Sequence, residues 1–237
     1  MKWGFVVAFS GFTAISGYAL AEGNLNIYNW SDYIAEDTIA NFEAETGINV
    51  TYDVYDSNEV LEAKMLAGSS GYDLVVPTAD FLARGREAGA YQDIDLSKIS
   101  NAKNQDADIQ GQANNMLNSA SAGLVYMWGS TGIAYNGDMI AERLGDDAPT
   151  DSWSLILDPE NAAKLEDCGI AILDAPTDVL PNVMTYLGFP GTSTDKAHFE
   201  AAGEALSAIR PYLRYINSSQ SINDIANGDI CAAIMWS

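Results

Sequence analysis

The fold is decided by residues 25–82, which have the sequence LNIYNWSDYIAEDTIANFEAETGINVTYDVYDSNEVLEAKMLAGSSGYDLVVPTADFL. Short runs of alternating or continuous apolar residues predict strands at 25–29, 48–54 and 72–76. Longer segments with periodic apolar residues predict helices at 36–46, 58–67 and 81–88. Strands that alternate with helices in this way indicate an α/β fold with a largely parallel sheet.

Turn and capping residues separate these elements. Gly47 is a stop signal for the first helix, because glycine adopts the left-handed conformation without a side-chain clash. Asp56 and Ser57 are candidate caps for the second helix, and Asp80 opens the third. Pro77 stops the third strand, since proline has no N–H to donate to a strand ladder.

Three loops follow the carboxyl ends of these strands, at 30–33, 55–58 and 77–80. Ligands of open α/β sheets bind beyond those strand ends, so we expect a binding site there. A cationic aliphatic amine needs apolar walls for its methylenes, carboxylates for its ammonium groups, and aromatic faces that serve both. Such side chains occur together in the loop Trp30-Ser31-Asp32-Tyr33. Core packing of Trp30 and helix capping by Ser31 or Asp32 are equally consistent with the sequence.

The second half of the chain predicts a further α/β lobe. Residues 101–122 are polar and predict a surface excursion, and 123–136 predict two short strands around Gly129–Gly132 that cross between the lobes. The second lobe begins at 153–157. Helices are predicted at 159–166, 178–187, 196–209 and 219–227, and strands at 169–173 and 230–236.

Residues 1–21 have the pattern of a secretory signal peptide. Lys2 precedes an apolar stretch at 3–14, and Ala19-Leu20-Ala21 forms a small-residue cleavage site. A buried N-terminal strand or helix is the alternative. Cleavage would leave a mature chain that starts near Glu22, with no cysteine there to carry a lipid anchor. No later segment is long and apolar enough to span a membrane, so we expect an exported protein without direct membrane insertion.

Charge and cysteine content narrow the function classes. The 237 residues carry a net charge of −22, which argues against nucleic acid as a partner, since nucleic acid requires a basic surface. An acidic field attracts cationic ligands, but it also simply keeps exported proteins soluble. In an oxidising compartment Cys168 and Cys231 are expected to form a disulfide, with two buried free thiols as the alternative.

Sites for metals, cofactors and catalysis are not indicated. The cysteines lie far apart, and His198, the single histidine, has no partner at metal-ligand spacing. The sequences GSSG at 68–71 and GSTG at 129–132 do not match the G-x-S-x-G nucleophile elbow, and the first lacks the lysine of a phosphate loop. A Ser–His pair would have to use His198, whose surroundings resemble an exposed helix start. We therefore expect a protein that is not an enzyme.

Several of these stretches resemble a known family in the same order along the chain. They are residues 27–82, YMWGSTGIAYN at 126–136, DSWSLILDPENAAKLEDCGIAILDAPTDV at 151–179, and SSQSINDIANGDICAAIMW at 218–236. They are similar to the bacterial periplasmic putrescine/spermidine-binding proteins of polyamine ABC importers. The resemblance implies a monomer with the type II periplasmic-binding-protein fold, whose two α/β lobes close across a hinge on a polyamine and then dock on a membrane permease.

The same resemblance implies individual roles. Trp30 would wall the methylene chain, and Ser31 and Asp32 would address an amine, partly through water. The implied ligand-binding set is Trp30, Ser31, Asp32, Tyr33, Thr78, Asp80, Asp178 and Trp236, and the implied disulfide joins Cys168 to Cys231. Asp80 stands where the family has serine, so we expect a shift towards a longer, more charged polyamine if its side chain faces the pocket. An N-cap role for Asp80 is the alternative.

Family members continue well beyond Ser237. The resemblance therefore implies that residues 22–130 form the first part of lobe 1 and 131–237 the first part of lobe 2, with the remainder of both lobes missing. We expect the chain as it stands to bind poorly and its complete parent to bind well. The alternative functions are a type II binding protein for another solute, such as a metal chelate, thiamine or a sugar, and a secreted hydrolase.

Overall fold

The computed structural model describes residues 23–237, in which two β-sheets are flanked by helices. The signal peptide predicted at 1–21 lies outside the described residues. Within 23–237 no helix combines the length and the apolar character needed to cross a membrane.

The first sheet has three parallel strands in the order β2-β1-β3, namely β1 (Gly23–Trp30), β2 (Ile48–Tyr55) and β3 (Leu74–Val75). Three helices follow these strands, namely α1 (Thr38–Thr46), α2 (Asn58–Leu66) and α3 (Ala79–Glu87). The predicted alternation of strands and helices in 25–82 is therefore confirmed. The third strand is shorter than predicted, because only Leu74 and Val75 pair with β1 before Pro77 interrupts the ladder.

The helix ends follow the local sequence signals. Gly47 has φ of 73° and donates its N–H to the carbonyl of Glu43, which ends α1. The Ser57 side chain accepts from the N–H of Val60 and caps α2. The N-cap of α3 is Thr78, whereas Asp80 lies in the first helical turn. The N-cap interpretation of Asp80 is therefore wrong.

Residues 101–122, predicted as a surface excursion, are largely helical. Short 3-10 turns at Leu96–Lys98 and Ser100–Asn104 lead into helix α4, Ala107–Leu117. The Asp106 side chain accepts from the N–H groups of Asp108 and Ile109 and so caps this helix. Apolar periodicity did not predict this helix, because Leu117 is the one residue of α4 that is buried.

The second sheet has four strands in the order β4-β7-β5-β6. They are β4 (Thr131–Tyr135), β5 (Ile170–Ile172), β6 (Leu213–Ile216) and β7 (Ala232–Trp236). Strand β5 is parallel to β6 and β7, while β4 is antiparallel to β7. Of the two strands predicted in 123–136 only β4 forms, since 123–130 has no strand partner in the described sheets. Strand β6 was not predicted.

Helices cover this second sheet. The predicted helices at 159–166, 178–187, 196–209 and 219–227 are confirmed, with the bounds α7 (Pro159–Leu165), α8 (Pro176–Tyr186), α9 (Lys196–Ile209) and α10 (Gln220–Asn227). The structure adds two helices that were not predicted, α5 (Gly137–Leu144) and the short α6 (Ser154–Leu157).

The largest apolar cluster lies under the second sheet and includes the fully buried Leu155, Leu165 and Ile170. A disulfide joins Cys168 to Cys231, with their Cα atoms 5.5 Å apart, which confirms the predicted pairing. It lies in the same cluster and connects the residues that precede β5 and β7. The second sheet and its helices, the second region, are therefore held together by a covalent bond as well as by apolar packing.

Candidate functional site

The two sheets meet at a pair of tryptophans. Trp30 is the last residue of β1, and Trp236 is the last residue of β7. Their rings meet edge to face, with centroids 5.3 Å apart and planes at 76°. Both stand at carboxyl ends of strands that have parallel partners, where α/β sheets bind ligands.

Trp30 is held from the first sheet. Its indole N–H donates to the carbonyl of Val76 at 2.8 Å, and its ring packs against Tyr55 with centroids 4.8 Å apart. Trp30 also packs against the small cluster of Tyr28, Tyr55 and Leu61. The Trp30 side chain thus packs in the core of the first sheet and also faces the space between the two sheets. It forms an apolar wall on each side.

The three residues after Trp30 have separate environments. The Ser31 hydroxyl lies 3.4 Å from that of Ser219, at the start of α10. This contact connects the loop after β1 of the first sheet to a helix that covers the second sheet. Asp32 is exposed and has φ of 65°, in the left-handed region that aspartate tolerates better than most residues. The carbonyl of Tyr33 accepts a hydrogen bond from the Tyr126 hydroxyl. Helix capping by Ser31 or Asp32 is wrong, because α1 has Asp37 at its N-cap.

Carboxylates from both regions gather beside the tryptophan pair. Burial raises the pKa of Asp178 above its usual value, and the charges of Asp80 and Glu59 raise it further. The Trp236 side chain acts in the opposite direction on this pKa and favours the charged form. Asp178 comes from α8, whereas Asp80 and Glu59 come from the first turns of α3 and α2. Three helices thus contribute negatively charged side chains to the surroundings of Asp178.

Glu59 was not predicted as a site residue. Its Oε1 accepts a hydrogen bond from the Thr177 hydroxyl at 3.0 Å, and its Oε2 is buried without a partner among the described residues. The available signal was its position, directly after the loop 55–58 that was predicted to reach the strand ends. Thr78, a predicted site residue, donates its hydroxyl to Asp80 Oδ1 at 2.5 Å.

The space between the two regions is small. A cavity of about 30 Å³ is bordered by residues of both sheets and of α10, namely Trp30, Ser31, Tyr33, Ser218, Ile222, Met235 and Trp236. That volume is about the share of one water molecule in the liquid. This cavity is therefore too small for a chain of several methylenes.

Catalytic and metal chemistry receive little support. Ser193 Oγ lies 2.7 Å from His198 Nδ1, so a Ser–His contact exists. The same Ser193 oxygen accepts from the N–H of Asp195, the N-cap of α9, and the His198 ring stacks on Phe189. These contacts are those of a helix start. In residues 23–237 no group of three His, Cys, Asp or Glu side chains could hold a metal ion.

Comparison with known proteins gives the family. Residues 37–237 match the model of the family described as bacterial extracellular solute-binding protein. The chain belongs to this family. It is a family of solute-binding proteins, not of enzymes, in agreement with the expectation from the sequence.

Two curated relatives are similar over nearly the whole chain. A putrescine-binding periplasmic protein of Pseudomonas aeruginosa is 49% identical over 226 residues, which cover 94% of this chain and 62% of the relative. A putrescine-binding periplasmic protein of Escherichia coli is 49% identical over 238 residues, which cover 99% of this chain and 64% of the relative. The chain thus spans a little under two thirds of these relatives. Their periplasmic location agrees with the location predicted for this chain.

Solved structures support the fold. A protein of Listeria monocytogenes assigned to a spermidine/putrescine ABC transporter matches with a TM-score of 0.78 at 30% identity, over 90% of this chain and 62% of its own. A spermidine/putrescine substrate-binding protein of Streptococcus pneumoniae matches with a TM-score of 0.63 at 26% identity, over 91% and 62% of the two chains. The predicted type II periplasmic-binding-protein fold is confirmed, while the lobe boundary at 130/131 stays a prediction.

Proposed function

We propose that this protein is the solute-binding component of a polyamine ABC importer, which captures putrescine or a related polyamine and delivers it to the membrane permease. The observation that carries the proposal is the meeting of aromatic rings and carboxylates between the two sheets. Trp30 and Trp236 provide the rings, and Asp178, Asp80 and Glu59 provide the charge. Among the ion pairs of the described residues, none involves these three carboxylates.

The chemistry of a diamine fits this arrangement. Each methylene buried against an aromatic wall contributes about 0.8 kcal/mol, and a cation over an indole face contributes about 0.5–2 kcal/mol. Buried carboxylates without a cation are costly, so an ammonium group removes an existing penalty as well as forming new contacts. The raised pKa of Asp178 reflects that penalty.

The proposed ligand-binding residues keep the predicted set and add one. They are Trp30, Ser31, Asp32, Tyr33, Thr78, Asp80, Asp178 and Trp236, with Glu59 as the addition. The names of the two relatives at 49% identity support putrescine as the ligand class. Because the chain spans 62–64% of those relatives, the proposal concerns the whole protein to which this sequence belongs.

Titration calorimetry on the gene product that carries this sequence tests the proposal. We expect saturable heat with putrescine and with spermidine, and weaker affinity at high salt, because exposed parts of the charge interactions are screened. Butylamine, with one ammonium group, should bind more weakly than putrescine, and 1,4-butanediol, with none, more weakly still. Absence of heat with putrescine, spermidine and cadaverine would contradict the proposal, and heat with thiamine or a sugar instead would favour another solute.

A further inference from the structure

Tyr55 was not predicted to be a site residue, yet it contacts the Trp30 loop in three ways. It is the last residue of β2 and pairs in register with Trp30, the last residue of β1. Its ring centroid lies 4.8 Å from that of Trp30, and its carbonyl accepts the N–H of Ser31 at 3.0 Å. Only 4% of its surface is exposed. A buried phenol with so many contacts restricts the loop that follows Trp30.

A further contact passes through the Val76 carbonyl. The Tyr55 hydroxyl and the Trp30 indole N–H both donate to this oxygen, which has two lone pairs and can accept both. Val76 directly follows β3 and precedes Pro77 and Thr78. One carbonyl thus joins the three loops that leave the carboxyl ends of β1, β2 and β3.

We propose that Tyr55 is a positioning residue, whose hydroxyl orients the Val76 carbonyl and thereby holds the Trp30 indole edge to face with Trp236. Tyr55 does not touch the ligand in this role. Burial raises the pKa of Tyr55 far above the usual value, so the phenol remains protonated and donates throughout the physiological pH range. The consequence for polyamine affinity rests on the proposed function, whereas the orientation of Trp30 does not.

The variant Tyr55→Phe removes the hydroxyl and keeps the ring. We expect a changed Trp–Trp exciton signal in circular dichroism, with the signal lost in Trp236→Phe as the reference. We expect the dissociation constant for putrescine to rise about 3- to 10-fold, the effect of one hydrogen bond. The matched control is Tyr28→Phe, which removes a hydroxyl from the same aromatic cluster at a ring that does not donate to Val76. The control should change neither quantity.

The possible results separate the two ideas. A changed exciton signal without polyamine binding by any variant would remove the proposed function and leave the positioning role standing. Equal effects of Tyr55→Phe and Tyr28→Phe, or an unchanged exciton signal in Tyr55→Phe, would overturn the positioning role. If Tyr55→Phe does not fold, hydrogen exchange of the indole N–H groups in the unaltered protein decides. The Trp30 N–H should then exchange much more slowly than that of Trp128, which is 75% exposed, and equal rates would overturn the proposal.

Discussion

At the scale of single residues, Asp178 has a charge that is unfavourable in the folded protein and that the proposed cationic ligand would neutralise. Burial is the largest cause of its raised pKa, and the negative charges of Asp80 and Glu59 add to it. The Trp236 side chain lowers this pKa, but it offsets only part of these effects. The side chain is thus unfavourable for folding when ionised and favourable for a cation that binds beside it.

The variant Asp178→Asn should stabilise the ligand-free protein at neutral pH while it weakens putrescine binding. The folded protein holds the Asp178 proton more tightly than the unfolded chain does, so the contribution of Asp178 to stability is greatest below the ordinary pKa of 3.8 and is lost as pH rises through the raised value. Thermal melting from acid to neutral pH should therefore show the advantage of the Asn variant growing above pH 3.8.

The control for this prediction is Asp174→Asn, at an exposed carboxylate that precedes the same helix. Its melting temperature should follow that of the parent protein across the pH range. A constant difference between Asp178→Asn and the parent at every pH would contradict the prediction, because the effect would then not depend on the charge of Asp178.

At the scale of elements, the site is assembled from strand ends and from the first turns of helices. Trp30 and Tyr55 end β1 and β2, while Glu59 and Asp80 lie in the first turns of α2 and α3. A carboxylate in the first turn of a helix is stabilised by the helix dipole. The dipole therefore partly offsets the cost of placing negative charge next to Asp178.

The variant Asp80→Ser should lower the preference for spermidine over putrescine. Spermidine carries an additional ammonium group, and an exposed charge pair contributes at most about 1 kcal/mol, so the affinity ratio should fall by up to about fivefold. Calorimetry with both ligands measures the ratio. The matched control is Glu87→Ser, at the exposed last residue of the same helix, which should leave the ratio unchanged. An unchanged ratio in Asp80→Ser would remove Asp80 from the selectivity site.

At the scale of the whole molecule, the two sheets differ in how firmly each is held. The second sheet has the large apolar cluster and the disulfide, whereas the first has the small cluster of Tyr28, Tyr55 and Leu61. Contacts between their regions include the hydrogen bonds of Ser31 with Ser219 and of Glu59 with Thr177 and the edge-to-face pair of Trp30 and Trp236. Such contacts are weaker than a packed core, and this is consistent with regions that part to admit a ligand.

Replacement of both cysteines, in Cys168→Ala/Cys231→Ala, should destabilise the protein by about 4 kcal/mol, because the disulfide closes a long loop and restricts the unfolded chain. The sequence separation of the pair is 63 residues. Urea unfolding under oxidising conditions measures the loss. Reductant should lower the midpoint of the parent protein and leave that of the double variant unchanged. Equal midpoints for the oxidised parent and the variant would show that the disulfide does not stabilise the fold.

Local sequence patterns predicted most elements because their causes are local. Apolar alternation, Gly47 and Ser57 each act within a few residues, and the corresponding strands and helix ends are found in the structure. The pattern was insufficient where apolar residues were few, as in α4, whose cap at Asp106 was the remaining signal. It also overestimated the strands at 123–130, where no sheet partner is present in the described region.

By itself the sequence determined the α/β class, the strand ends that carry the site and, through its resemblance, the family. Tertiary structure alone decided which of these residues meet. The contact of Trp30 with Trp236, the three carboxylates around Asp178 and the shared Val76 carbonyl all join segments distant in the chain. Periodicity describes the neighbours of a residue along one element, whereas such contacts depend on how separate elements pack, and no local pattern encodes that packing.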